Sequence, residues 1–415
     1  METFIPRHLE PTAREALTYS PGLIIEGARQ VGKSTLASHL VPDGGTRITL
    51  DDLAVRDAAR ADPEGIVSRP GPILIDEIQH APELTFAIKA SIDRDRRPGR
   101  FILTGSASLL RVRGLTDSLA GRVRRLMLFG LSQGEYGRRR DDLVTRLLDG
   151  GVRAQIPAFS TMVDRADYAQ RLVMGSYPEP SQLPPRPRRG WYDDYVLAVI
   201  GRDLSTLRRQ VQPDRALALL RYLAARQSEE LVKSRAATDV GIAASTADHY
   251  LDLLRDVHLF QAIPPWTPNL AKREIGRGKI LIHDTGLAMR LAGVTEEQLA
   301  QVTSYELFGH ALEGFVAGEL LRQLGWSETE FRLFHYRDRA GAEVDLVIET
   351  SDGRVVGIDV KASTSYQARQ FDGLKKLQAQ LGDRFVGGFV LGTSNQGYRY
   401  APGLWGLPIA ALWEL

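Results

Sequence analysis

Cysteine is absent from the 415-residue chain. Disulfides, thiolate nucleophiles and cysteine-ligated zinc are thereby excluded, and a reducing, cytoplasmic setting is expected. Long apolar runs are missing as well: none approaches the ~20 residues of a membrane span. The opening METFIPRHLEP has no basic stretch leading into an apolar core, so no secretory signal and no membrane partner is expected. Charge of one sign is scarce. Basic side chains number 53 against 51 acidic ones, a net of +2, too little to argue for nucleic-acid binding on bulk electrostatics. Lysine is rare too: eight of the 53 basic residues, so arginine supplies 45. A GC-rich genome produces the same bias, and arginine abundance alone assigns no function. The remainder, 43% hydrophobic and 25% charged, is ordinary for a globular protein, and the length predicts two to four domains.

Against this background the run Leu23-Ile24-Ile25-Glu26-Gly27-Ala28-Arg29-Gln30-Val31-Gly32-Lys33-Ser34-Thr35 is specific. It reads as a buried strand, then G-x-x-x-x-G-K-S, then a helix, the phosphate-binding loop of a P-loop NTPase. Glycines at 27 and 32 allow successive N–H groups to turn toward an anion, and the helix adds its positive N-terminal end. Gly27 through Thr35 are the predicted ATP contacts. Lys33 is expected to reach the β- and γ-phosphates, and the Ser34 hydroxyl to ligate Mg²⁺.

A second apolar run, Ile73-Leu74-Ile75, ends in Asp76-Glu77. A strand would deliver Asp76 to the sheet edge beside the loop to hold Mg²⁺, with Glu77 to orient or deprotonate the attacking water. Phe101 to Ser106 predicts a further core strand, where Thr104 or Ser106 could sense the γ-phosphate; the alternative is a strand-to-loop turn of small residues. Residues 47–52 read as another strand. Strands alternating with helices predict a parallel, doubly wound sheet. Arg122, in Ala120-Gly121-Arg122, is the candidate for stabilising transition-state charge, in cis or from a neighbouring subunit, against the alternative of a solvated basic face.

GARQVGKSTL, ILIDEIQHAPEL, FILTGSASLL and SLAGR together resemble a large prokaryotic group of AAA-like ATPases fused to a C-terminal domain of unknown function. MGSYPEP (174–180), Ile200-Gly201-Arg202-Asp203-Leu204, Ile282-His283-Asp284-Thr285-Gly286-Leu287, AEVDLVI and GIDVKAS extend the resemblance over nearly the whole chain. Some members of AAA groups form rings, so oligomeric assembly is open.

Residues 183–190, LPPRPRRG, read as a linker. Farther on, a short helix over 234–240, a turn at 241–244 and a helix over 246–256 capped by Ser245 form a helix-turn-helix pattern, with 258–263 as a strand of a wing. The second helix would enter a major groove, yet its exposed face carries Asp248 and Asp252 beside Ser245, His249 and Arg255, and two aspartates repel phosphates. A winged helix for protein contacts is the alternative. In the last third, Glu313 lies in an amphipathic stretch, and two expected strands carry Asp345, and Asp359 with Lys361. Asp359 and Lys361, two apart, share a strand face. Three carboxylates and an ammonium in this order could bind Mg²⁺ and activate water, with Lys361 stabilising the phosphorane. The set resembles the PD-(D/E)XK nuclease core, which implies a restriction-endonuclease-like α/β fold; Asp359 stands where Glu is more frequent in the ATPase group.

The expected division is an AAA-like P-loop ATPase domain over 1–135, a helical connector over 136–205, a winged-helix module with linker over 206–300 and a nuclease-like domain over 301–415. Two functional readings follow: an ATPase whose nucleotide state controls a DNA-directed half with metal-dependent nuclease activity, or a nucleotide-dependent switch acting through protein partners without cleavage. A small-molecule kinase uses the same loop but fits the Asp76-Glu77 pair poorly.

Overall fold

The computed structural model describes residues 4–106, 119–204, 212–269, 273 and 276–415. The expected boundary at 205/206, the tail of FILTGSASLL and the first residue of SLAGR lie outside the described residues.

Five parallel strands form the N-terminal sheet: β1 (Gly22–Glu26), β2 (Thr46–Thr49), β3 (Ile73–Asp76), β4 (Phe101–Gly105) and β5 (Val123–Met127), in the order β2-β3-β4-β1-β5. Leu23 and Ile25 enter one core cluster, and Ile24 of the same strand enters another with Ile73, Ile75, Phe101 and Leu103. Burial on both faces is why these strands read as unbroken apolar runs rather than alternating ones. β4 lies between β1 and β3, so its C-terminal tip stands between the phosphate loop and Asp76.

The segment read as a linker is instead part of the helix Pro185–Ala198. Proline suits a first helical turn, where its missing N–H costs nothing. The arginines are not there for solubility alone: buried Arg188 donates to Pro180 O (3.1 Å) and Leu183 O (2.8 Å). The helix then packs Trp191, Tyr192 and Tyr195 around Tyr177. Two of the family motifs meet on the same helix. Asp284 accepts from Ser176 Oγ at 2.8 Å and caps the helix Thr285–Ala292 through Leu287 N, while Tyr192 donates to Met174 O.

Helices Lys233–Val240 and Ala244–Asp256 are joined through Gly241, whose φ of 71° suits glycine. The second helix begins two residues earlier than expected and Ser245 does not cap it; Ala243 holds the cap position. The hairpin β6 (Phe260–Ile263) and β7 (Lys279–Ile282) follows, antiparallel, with Ile263 opposite Lys279.

The C-terminal sheet is mixed: β8 (Phe331–Arg337), β9 (Glu343–Thr350), β10 (Val355–Lys361), β11 (Phe385–Gly392), β12 (Tyr398–Ala401) and β13 (Leu404–Pro408), ordered β12-β13-β11-β10-β9-β8. Period-two alternation sends Leu346 and Ile348 of β9 to the main core and Val347 to a separate cluster with Leu374 and Leu377 of the helix Asp372–Leu381; Val344 joins the second cluster beyond the register shift between Phe334 and Tyr336 of β8. The helix Tyr305–Gln323 packs against β10. The main core runs without a break from Leu9 to Trp413.

Candidate functional site

The phosphate loop leaves the C-terminal end of β1. A Cβ on Gly27 would lie 2.1 Å from Leu128 O, so only glycine lets the loop pass that strand end. Gly32 is left-handed, with φ of 96°, and starts the helix Lys33–Leu40 without a side-chain cap. An uncapped helix start of this kind is where backbone N–H groups and the positive helix end serve an anion. Gln30 through Thr35 and Glu77 line a cleft of about 530 Å³. Lys33 is buried, and its ammonium donates to the loop's own Ala28 O at 2.8 Å. The loop is held from outside at two more carbonyls: Tyr195 donates to Arg29 O (3.3 Å), and Arg7 to Val31 O (2.8 Å).

Ser34 and the end of β3 meet where the sequence expects. Ser34 Oγ donates to Asp76 Oδ1 at 2.8 Å, and Thr104 Oγ1 donates to the same oxygen. Thr104 also accepts Glu77 N–H at 3.1 Å. Thr104 is fully buried and spends its hydroxyl on the two acidic residues, so it positions them rather than facing the cleft. Glu77 has a left-handed backbone, φ 58°, and its carboxylate accepts from Gln79, whose amide also donates to Ser106 Oγ at 3.1 Å. A hydroxyl and a carboxylate beside an anion-binding helix end are the hard oxygen donors that Mg²⁺ prefers. The donor set fits that ion together with a triphosphate.

Arg122 does not join them. Its guanidinium pairs with Asp93 at 2.7 and 3.0 Å. It precedes β5, whose first residue Val123 stands opposite Gly22, the start of β1. The phosphate loop leaves the other end of β1, a strand length away, so the cis role expected for Arg122 is corrected.

In the C-terminal unit, β9 and β10 pair antiparallel and bring Asp345 beside Asp359; the helix Tyr305–Gln323 brings Glu313 over them. Asp345 Oδ2 accepts from Val360 N–H (2.9 Å) and from Lys361 Nζ (3.2 Å), and Asp359 Oδ1 accepts Asp345 N–H (3.3 Å). The four expected residues thus share one place, but a fifth sits among them. Lys279 of β7 puts its ammonium 2.6 Å from Glu313, 2.9 Å from Glu343 and 3.2 Å from Asp345. Among the described residues no three His, Cys, Asp or Glu side chains are set to hold a metal ion. The expected metal-ligand geometry of Glu313, Asp345 and Asp359 is not what these residues show: Glu313 Oε1, both oxygens of Asp345 and Asp359 Oδ1 serve ammonium and amide groups. Burial alone would raise Asp345, but Lys361 and Lys279 hold its carboxyl well below the usual range. Burial, then the Asp345 charge, push Glu313 up to about 8 against the pull of Lys279. Burial lowers Lys279 less than its three carboxylates raise it, so it stays charged.

The exposed face of the helix Ala244–Asp256 keeps its acids partly neutralised: Asp248 pairs with Lys233 at 2.9 Å and Asp252 with Arg255 at 2.8 Å.

Over 354 residues the chain is 32% identical to the uncharacterized proteins Rv2008c of Mycobacterium tuberculosis (strain ATCC 25618 / H37Rv) and Mb2031c of Mycobacterium bovis (strain ATCC BAA-935 / AF2122/97), covering 85% of this chain and 73% of each relative. The chain belongs to their family. Residues 19–137 match an AAA domain, and 165–298 and 308–412 match two domains of unknown function, DUF8612 and DUF4143. The N-terminal domain of this family member is therefore AAA-like. Among solved structures, a Thermotoga maritima RuvB variant is 16% identical, with a TM-score of 0.26 over 65% of this chain and 89% of that one. A signal-transduction ATPase with numerous domains from Pyrococcus horikoshii is 13% identical, with a TM-score of 0.22 over 78% of this chain and 47% of that one.

Two residues at these sites escaped sequence reasoning. Lys279 carried one signal, a lysine in a chain where arginine outnumbers lysine 45 to eight. Arg7 carried none; its guanidinium also reaches Phe129 O, Gly130 O and Glu135, contacts made only by the fold.

Proposed function

We propose that this protein binds and hydrolyses ATP with Mg²⁺ at the β1–β3–β4 edge and uses the nucleotide state as a switch on its C-terminal half, acting through protein partners. The Ser34–Asp76–Thr104 hydrogen-bond cluster beside Lys33 carries the reading. Backbone N–H groups from Gly27 to Thr35 would cradle the phosphates. Lys33, now on Ala28 O, would exchange that carbonyl for the β- and γ-oxygens. Ser34 and Asp76 would hold the Mg²⁺, which when bound neutralises charge on the transferred phosphoryl. Glu77, once released by Gln79, would accept the proton of the attacking water. Thr104 keeps both acids in place.

The division at 135, 205 and 300 is part of this proposal, as is the likeness of the C-terminal unit to PD-(D/E)XK nucleases, supported by Glu313, Asp345, Asp359 and Lys361 lying together. Protein partners are favoured over DNA by two observations. Asp248 and Asp252 sit on the helix that would enter a groove. The cleft of about 500 Å³ at the carboxylate cluster is lined by Glu229, Glu230, Glu306, Glu313, Glu343 and Asp345 against Lys279, Arg337 and Lys361, an excess of acid that repels a phosphodiester. ATP hydrolysis by wild type, abolished in Lys33→Ala, tests the first part; turnover unchanged by that substitution rejects it. Duplex affinity measured against salt tests the second. A steep decline, as six or more phosphate contacts would give, rejects the partner reading in favour of DNA.

A further inference from the structure

We infer that Lys279 is the resident cation of the carboxylate cluster, standing where a metal-dependent nuclease of this fold would hold a divalent ion, so that this protein's nuclease-like unit works without metal and does not cleave. The inference rests on the nuclease-like reading of that unit, and it is independent of ATP turnover.

The chemistry of the ammonium fits the place. It has three N–H donors and no acceptor, and three carboxylates, Glu313, Glu343 and Asp345, lie within 3.2 Å of it. A divalent ion at the same centre would need those oxygens at about 2.0–2.6 Å, and the nitrogen already fills the centre. Further oxygens of the cluster are engaged: Asp345 Oδ2 accepts from Val360 N–H and Lys361, and Asp359 Oδ1 from Asp345 N–H.

Lys279 is not on a lid. β6 pairs with it on one side. On the other, Ser228 donates to Ile280 O (2.9 Å), Ile280 to Glu229 O (2.8 Å) and Leu231 to Gly278 O (2.8 Å). The hairpin is also tied to β8, where His335 donates to Pro264 O at 3.0 Å. Main chain on both sides fixes the lysine, and its side chain is 4% exposed. Arginine, the chain's default cation, is planar and forked; a compact ammonium meets three converging carboxylates better. The lysine therefore closes the site and fastens the wing to the C-terminal sheet.

The test is a Mn²⁺ titration of nucleotide-free, full-length protein, followed by electron paramagnetic resonance and by thermal melting. Four forms are compared: wild type, Lys279→Met, Asp345→Asn and the double variant. Lys279→Met keeps the stem and removes the charge. Expected is a Mn²⁺ site in Lys279→Met at least tenfold tighter than any in wild type, lost in the double variant, with a melting temperature that Mn²⁺ raises. Wild type that binds Mn²⁺ through Asp345 overturns the inference, and so does Lys279→Met that gains no site. Should Lys279→Met fail to fold, comparison of wild type with Asp345→Asn decides alone: equal titrations sustain the resident ammonium, a site missing only in Asp345→Asn refutes it. Loss of ATP binding in Lys33→Ala is read separately, so neither result can be mistaken for the other.

Discussion

Lys33, Glu77 and Thr104 act on one small volume but through different physics, and substitution separates them. Lys33→Ala removes a point charge meant for the phosphates, so affinity for a fluorescent ATP analogue should fall at least tenfold. Glu77→Gln keeps size and hydrogen bonding but removes the proton acceptor; binding should persist while turnover falls 10²-fold or more. Thr104→Val is expected to leave affinity near wild type and lower turnover, because Asp76 and Glu77 lose their shared hydroxyl. Thr104→Ser should restore it. A loss of binding in Thr104→Val, or no rescue by serine, would show that the hydroxyl does more than position the two acids. The places of Lys33 and Glu77 could be read because their spacing to strand ends is local; Thr104 was expected to face the γ-phosphate and instead sits buried against the two acids. Lys279 was not: its partners Glu313 and Asp345 lie 34 and 66 residues away, and no local pattern records where a strand's first side chain will point.

Helices and turns connect places in the fold that single side chains cannot. The helix Tyr305–Gln323 holds Glu313 near its middle and, about two turns on, Glu319 and Arg322. Glu319 accepts Gln133 N–H at 2.9 Å, and Arg322 donates to Glu319 (3.2 Å) and to Gly130 O (3.3 Å), the carbonyl that also receives Arg7. Arg7 in turn holds the phosphate loop at Val31. Arg322→Ala strands a fully buried Glu319, whose carboxyl burial already pushes up to about 7. The expected cost is about 3–5 kcal/mol of stability, measured by urea unfolding; a change below about 1 kcal/mol would mean that the junction relaxes around the loss. The turn before β6 gives a pH signature. Burial, and then the Lys33 charge, lower His258 to about 4; burial, and then His258, lower His283 to about 3. Both are neutral when folded and take protons on unfolding below their ordinary 6.5. The histidines' share of the stability is thus full above about pH 6.5 and falls as pH drops toward 4, by about 1.4 kcal/mol per pH unit for each, while the raised carboxyls of Glu313 and Glu319 act with the opposite sign. The stability difference between wild type and His258→Gln, from urea unfolding at pH 7 to 4, should therefore move in favour of the variant as pH falls; a difference that does not change with pH assigns no share to His258. At this scale the sequence was readable where an unbroken apolar run or a helical period decides, as in β1 and the helix-turn-helix, and misleading where composition alone spoke. LPPRPRRG looks like a linker until its prolines fall in a first turn and Arg188 finds carbonyls.

The whole molecule contradicts the idea of beads on a string. One apolar core joins Leu9 to Trp413. Polar ties cross the first boundary as well: Gln133 N–H donates to Glu319 at 2.9 Å, and Arg322 to Gly130 O at 3.3 Å. A fragment ending at 135 would keep the phosphate loop but expose the end of the sheet that the rest of the chain covers, and would leave Gln133 N–H without Glu319. Apolar surface returned to water costs about 25 cal/mol per Å², so even a few hundred Å² removes stability on the scale of a whole domain. The 1–135 fragment is therefore expected to aggregate or to melt at least 10 °C below the full chain in a thermal scan, with ATP-analogue affinity reduced in step. A fragment that melts with the full chain and binds equally well would make the C-terminal half a passenger, and the route from phosphate loop through Arg7 and Arg322 to the carboxylate cluster would have nothing to carry.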